Sequence, residues 1–98
     1  MITVYERINA LQPEQVIYVD YDQTLWLNDI DEPNTPLIEA LINAQSRGVY
    51  ICLWTAANRS ETIRRINHMR DYWLEFDGVY YNIQKGDLII DNLAISPY

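Results

Sequence analysis

A short apolar run that stops on a polar residue is the feature that most constrains this chain. Val16-Ile17-Tyr18-Val19 ends abruptly at Asp20, Tyr50 to Trp54 runs into Thr55, and Leu88-Ile89-Ile90 runs into Asp91. Unbroken apolar runs of this length are buried on both faces when they become strands, which is the habit of parallel sheets covered by helices. The stretches between the runs supply the helices. Thr35 makes a good N-cap, Pro36 suits the first helical position and Glu39 falls in the first turn. Leu37, Ile38, Leu41, Ile42 and Ala44 then form an apolar stripe at helical spacing, which Gly48 ends. A further helix is expected after Asn58 or Ser60. Ile63, Ile66, Met69 and Trp73 would share its buried face, and Arg64, Arg65, His68 and Asp71 its solvated one. Residues 4–11 read as a short helix stopped near Pro13, and Val79-Tyr80-Tyr81 as another strand. Residues 21–34, rich in carboxylates with Asn28, Pro33 and Asn34, read as a loop. Apolar strands alternating with amphipathic helices indicate an α/β fold with an open, mainly parallel sheet. The 98 residues leave room for one domain, spanning 1–98.

Bulk properties narrow the function. A chain this short buries roughly 60–65% of its unfolded surface, so self-association into a homo-oligomer would help it. The formal charge of −7 argues against generic nucleic-acid binding, which calls for a basic face. An acidic protein still binds phosphates when a divalent cation mediates the contact. The single cysteine, Cys52, sits inside an apolar run and reads as a buried thiol in a reducing compartment. No basic start followed by an apolar stretch marks a secretory signal, and no apolar run is long enough for a membrane span. The expectation is a cytoplasmic protein with no membrane partner.

Ligands of parallel α/β sheets gather at the carboxyl ends of the strands. The first run continues as Asp20-Tyr21-Asp22-Gln23-Thr24-Leu25, the second as Thr55-Ala56-Ala57-Asn58-Arg59 and the last as Asp91-Asn92. Lys85, the only lysine, stands just before the last run. Two carboxylates two residues apart repel each other unless they share a cation or a proton, so the Asp20–Asp22 pair implies a metal or acid/base work. Carboxylate oxygens, a backbone carbonyl and waters would hold a hard divalent ion, with Asp91 as a further ligand. Attack by Asp20 on phosphorus would need the phosphoryl charge neutralised by that metal, Lys85 and the Thr55 hydroxyl. Asp22 would then protonate the leaving oxygen and later activate water. Trp26 follows this loop and would floor or flank a substrate pocket. Simpler roles stand beside these: Asp20, Asp22 and Thr24 suit a turn, Thr55 a helix entry, and Asp91-Asn92 another turn. His68 reads as a solvated surface residue, and Trp54 and Trp73 as core or rim packing. An EF-hand is excluded because its sixth position would be Leu25 instead of glycine. A receiver domain is disfavoured because no mid-chain strand ends in a phospho-acceptor.

Taken in order, these residues resemble the haloacid dehalogenase-like phosphatases, whose first motif is a strand followed by Asp-x-Asp-x-Thr. Asp20, Asp22 and Thr24 match it in full. The chain is most similar to the small, cap-poor phosphatases of capsular-polysaccharide and sugar-phosphate pathways. There a Pro-Asn pair precedes the first helix, as Pro33-Asn34 does here, and the second motif Thr-Ala-Arg-Asn is partly matched by Thr55, Ala56 and Asn58. The terminal Asp-Asp-Lys-Ala-Ile-x-Pro pattern is matched as Asp91-Asn92-Leu93-Ala94-Ile95-Ser96-Pro97, so the likeness covers residues 16–98. It implies a three-layer, Rossmann-like core with a short sheet and no cap domain. It implies an aspartyl-phosphate on Asp20, acid/base work for Asp22, phosphate contacts in the Thr55–Asn58 loop and a lysine role for Lys85. It also implies Mg2+ held by Asp20, Asp91 and the backbone carbonyl of Asp22, with Asn92 in the position of a further acidic residue. The expected substrate is a small phosphorylated compound such as a sugar or nucleotide phosphate, and an open site also admits the phosphorylated end of a larger molecule.

Several positions depart from that pattern. Asn92 thins the negative charge expected around the metal, Leu93 replaces a lysine, and Gly86 follows Lys85 where proline is usual. Ala57 stands where an arginine is common, with Arg59 nearby as a substitute. A binding or regulatory protein that has lost turnover is therefore the alternative, and phosphoryl transfer to an acceptor other than water is a third. The intact Asp20–Asp22 pair favours the enzyme.

Overall fold

The computed structural model describes residues 3–81, 88–90 and 95–96. In chain order they form α1 (Val4–Ala10), β1 (Val16–Val19), β2 (Trp26–Leu27), β3 (Glu32–Pro33), α2 (Thr35–Ser46), β4 (Tyr50–Trp54), α3 (Arg59–Arg70), β5 (Gly78–Tyr80), β6 (Leu88–Ile90) and β7 (Ile95–Ser96). The apolar runs are adjacent strands of one sheet, ordered β5-β4-β1-β6-β7. Pairing is parallel from β5 to β6, and β7 is antiparallel at the edge. Ile17 lies level with Ile51 and Leu88, which sets the faces of the sheet.

On one face Ile17, Val19, Ile51, Leu53, Leu88 and Ile90 join the main core with Ile8 of α1, Leu37 and Leu41 of α2, and Met69 of α3. The other face carries a smaller cluster of Tyr18, Cys52 and Ile89, flanked by Val16 and Trp54. Among the described residues all three helices therefore pack on one face. The third layer of the expected core is not formed by them.

Local chemistry accounts for most boundaries. The Thr3 hydroxyl accepts from the Glu6 amide and caps α1. The cap of α2 is Asn34 instead of Thr35, and its side-chain amide makes no cap bond but donates to the Thr24 carbonyl at 2.9 Å. Asn58, of the two candidates, caps α3, its Oδ1 accepting from the Glu61 amide at 2.9 Å. The segment read as a loop contains a two-residue ribbon, Trp26 opposite Pro33 and Leu27 opposite Glu32. The buried face of α3 also differs from expectation: Thr62 and Met69 are buried and Ile66 packs on the core, while Ile63 is exposed. Trp73 lies beyond the helix end at a φ of 70°, with 87% of its surface in solvent. With three apolar side chains in twelve residues, the hydrophobic pattern of α3 is too sparse to fix its phase. No helix among the described residues is long and apolar enough to cross a membrane.

Candidate functional site

The carboxyl edge of the sheet brings the ends of β1 and β4 side by side. Backbone bonds fix both: the Asp20 amide donates to the Ile90 carbonyl at 2.9 Å, and the Thr55 amide to the Tyr80 carbonyl at 3.0 Å. Asp20, Trp54, Thr55 and Ala56 line a cavity of about 160 Å³ at this edge. Of the expected substrate contacts, Thr55 and Ala56 are thus at the cavity, and Trp54 joins them although the sequence reads it as packing. Asn58 spends its side-chain oxygen on the helix cap. Arg59 is an exposed residue of the first turn of α3.

After Asp20 the chain turns tightly. The Tyr21 carbonyl accepts from the amides of Thr24, Leu25 and Trp26, and Gln23 takes a φ of 55°. The Tyr21 amide donates to Asp20 Oδ1 at 2.8 Å, which fixes that carboxylate relative to the turn. Thr24 is buried, and its hydroxyl donates to the Asp22 carbonyl at 3.4 Å. Asp22 therefore stands just beyond Asp20 with its side chain half in solvent.

Arg65 is the residue that sequence reasoning placed elsewhere. Expected on a solvated face, its side chain is only 12% exposed. Nη2 donates to Asp22 Oδ2 at 2.8 Å, Nη1 to Thr55 Oγ1 at 3.2 Å, and Nε to Glu61 Oε1 at 3.3 Å. Its guanidinium also lies 4.9 Å from the centre of the Tyr21 ring, in cation–π range. One cation thus links the loop after β1, the end of β4 and the first turn of α3. The signal that finds it is Thr62: taken as inward-facing, that residue sets the phase of α3 and carries Arg65 onto the flank beside the strand ends.

His68 is corrected in the same way. It is half-buried, its Nδ1 lies 2.5 Å from the Tyr21 hydroxyl, and its ring packs between Trp26 at 4.4 Å and Tyr72 at 5.6 Å. Trp26 accordingly packs against His68 and Tyr72 and is bridged to Asp22, and it is not among the described residues that line the cavity. Burial raises the Tyr21 hydroxyl above the usual tyrosine range, partly offset by Arg64 and Arg65 nearby. Glu61 is held down at about 2, chiefly by its hydrogen bond with Arg64 and also by Arg65, so the carboxylate end of this network stays charged.

The Asp20 carboxylate and the Asp22 backbone carbonyl, oxygen donors of the kind a hard cation takes, lie on the same turn. Among the described residues no three His, Cys, Asp or Glu side chains form a ready-made metal cage. Lys85, Asp91 and Asn92, expected to complete the site, lie outside the described residues. Comparison with protein-family models, curated proteins and solved structures yields no match to this chain.

Proposed function

We propose that the chain is a magnesium-dependent phosphohydrolase of the haloacid dehalogenase-like kind, without a cap, acting on a small phosphate ester. The observation that carries this reading is the meeting of Asp20 and Thr55 on one cavity at the carboxyl edge of a parallel sheet, with Asp22 just beyond. Asp20 attacks phosphorus, a P–O bond forms to its carboxylate, and the ester P–O bond breaks with its electrons on the leaving oxygen. Asp22 gives that oxygen a proton. Asp22 then takes a proton from water as the water attacks the aspartyl-phosphate; the P–O bond to Asp20 breaks, inorganic phosphate leaves, Asp20 is a carboxylate again and Asp22 the protonated acid it began as. Thr55 borders the phosphoryl group, and Lys85 is assigned a share of its charge. Magnesium, held by the Asp20 carboxylate and the Asp22 carbonyl with Asp91 and Asn92 as proposed partners, supplies charge neutralisation when bound.

Electrostatics support an anionic substrate. Four of the seven cationic side chains, Arg59, Arg64, Arg65 and Arg70, lie on α3, although the chain carries a net charge of −7. Arg64 and Arg65 pair with Glu61 and Arg70 with Glu75, yet α3 itself stays net positive, and such a helix beside a cleft favours anions there, more strongly at low salt. Hydrolysis of an aryl phosphate and of a panel of sugar and nucleotide phosphates, with and without magnesium, tests the proposal. Metal-dependent turnover that falls by at least about a thousandfold in Asp20→Asn is expected, since the covalent route is then closed. Equal rates for the parent and the Asp20→Asn chain would remove Asp20 as nucleophile.

A further inference from the structure

Both oxygens of the carboxylate assigned to proton transfer accept a hydrogen bond in this structure. Asp22 Oδ2 accepts from Arg65 Nη2 at 2.8 Å, and Oδ1 accepts from Asn28 Nδ2 at 3.2 Å. A general acid must hydrogen-bond the atom that receives its proton, and the ion pair with Arg65 holds Asp22 Oδ2 on another partner. The same guanidinium donates through its other amino group to Thr55 Oγ1, and Thr55 lines the cavity beside Asp20. Arg65 therefore holds the acid/base residue with one amino group and borders the phosphoryl position with the other.

We propose that Arg65 is the phosphoryl-binding cation of this site and works by exchange. An arriving phosphoryl group takes Nη2 from Asp22 and Nη1 from Thr55, and the Asp22 carboxylate, no longer ion-paired, takes up from solvent the proton it then gives to the leaving oxygen. The inference rests on reading the cavity as a phosphoryl site. Three features make Arg65 suited to the exchange. Its Nη fork matches two oxygens of one phosphoryl group, as an ammonium does not. Its Nε is tethered to Glu61, and its flat face lies over the Tyr21 ring, so the stem stays in place while the fork changes partners. The contact can be given up from the Asp22 side, whose side chain is 50% exposed and is hydrated when released, while Arg65 keeps its bond to Glu61. The arginine missing from the loop at Ala57 is thus supplied from two turns along α3.

Equilibrium binding of inorganic phosphate, followed by calorimetry in magnesium-containing buffer, tests this without turnover. Arg65→Gln is expected to weaken phosphate binding about tenfold or more, since a charged hydrogen-bonding fork is lost. Asp22→Asn is expected to tighten binding severalfold by releasing Arg65. In the double variant that gain should disappear, which separates release of Arg65 from simple relief of charge repulsion. Arg65→Lys, which keeps the charge without the fork, should fall between parent and Arg65→Gln and serves if the latter does not fold. Unchanged binding in Arg65→Gln or Arg65→Lys would overturn the proposal. So would an Asp22→Asn gain that survives in the double variant, or a parent chain that binds no phosphate. Phosphate binding with the expected pattern but no ester hydrolysis keeps the exchange and removes the phosphohydrolase. Hydrolysis with a phosphate affinity indifferent to Arg65 does the reverse.

Discussion

Thr55 is 2% exposed, and its hydroxyl oxygen is shared between the Ala57 amide at 3.0 Å and Arg65 Nη1 at 3.2 Å. A hydroxyl holding a backbone turn and a guanidinium at once fits the turn leading to α3, whose cap is Asn58, and the phosphoryl contact belongs to the proposal. Tyr21 has a comparable double duty. Its carbonyl closes the turn after Asp20, while its ring, 2% exposed, lies under Arg65 and its hydroxyl meets His68. Cys52 has no part in the site, and its prediction concerns stability. Burial, with a smaller contribution from the Asp77 carboxylate, pushes its thiol up to about 11 from an ordinary value of 9.0. A raised folded-state pKa means the neutral thiol stabilises the fold fully below about pH 9, and this is lost as pH rises toward 11. Unfolding by denaturant across that range should show a steeper loss for the parent than for Cys52→Ala; parallel curves would contradict it. The placement of Asp20, Asp22 and Thr55 at the carboxyl edge was legible because strand ends announce themselves in sequence. Arg65 and His68 were not, because their roles depend on the phase of a helix whose own pattern is too polar to give it.

At the scale of elements, the tightest constraint is the turn from α2 into β4. Gly48 takes a φ of +98°, receives the Glu14 amide on its carbonyl at 2.8 Å, and has Pro13 only 3.2 Å from where a Cβ would stand. Gly48→Ala should therefore cost about 1–2 kcal/mol from backbone strain, measured by chemical denaturation, with more if Pro13 does not yield. A loss under a few tenths of a kcal/mol would show that the turn relaxes freely. The start of α2 was misread by one residue because Asn34 and Thr35 are both good caps. Asn34 takes the position, and its side chain instead reaches the Thr24 carbonyl, tying the helix entrance to the turn that carries Asp22. The ribbon of β2 and β3 was unreadable because two-residue strands leave no alternating pattern to detect. The helix α3 was recognised, but its inward face became clear only through partners distant in sequence.

Across the whole molecule, the alternation of apolar runs and helices was enough to indicate an α/β fold with a mainly parallel sheet, and the strand order agrees. The single helical layer among the described residues was not anticipated, since no local pattern says which face a connection will cross. That sheet sets Asp20 and Thr55 on neighbouring strand ends, and the net cationic α3 lies alongside in a chain of charge −7. The placement makes Asp20 the centre of the proposed hydrolysis, because the covalent route needs this carboxylate to receive the phosphoryl group. Covalent capture addresses that claim most directly. The parent chain is mixed with an aryl phosphate and magnesium, quenched in acid within the first turnover, digested, and examined by mass spectrometry. The expected result is a phosphoryl group on the peptide bearing Asp20, released by hydroxylamine and absent from Asp20→Asn. Hydrolysis that proceeds with the Asp20 peptide unmodified at every quench time, or a phosphoryl group found on another residue, would contradict it.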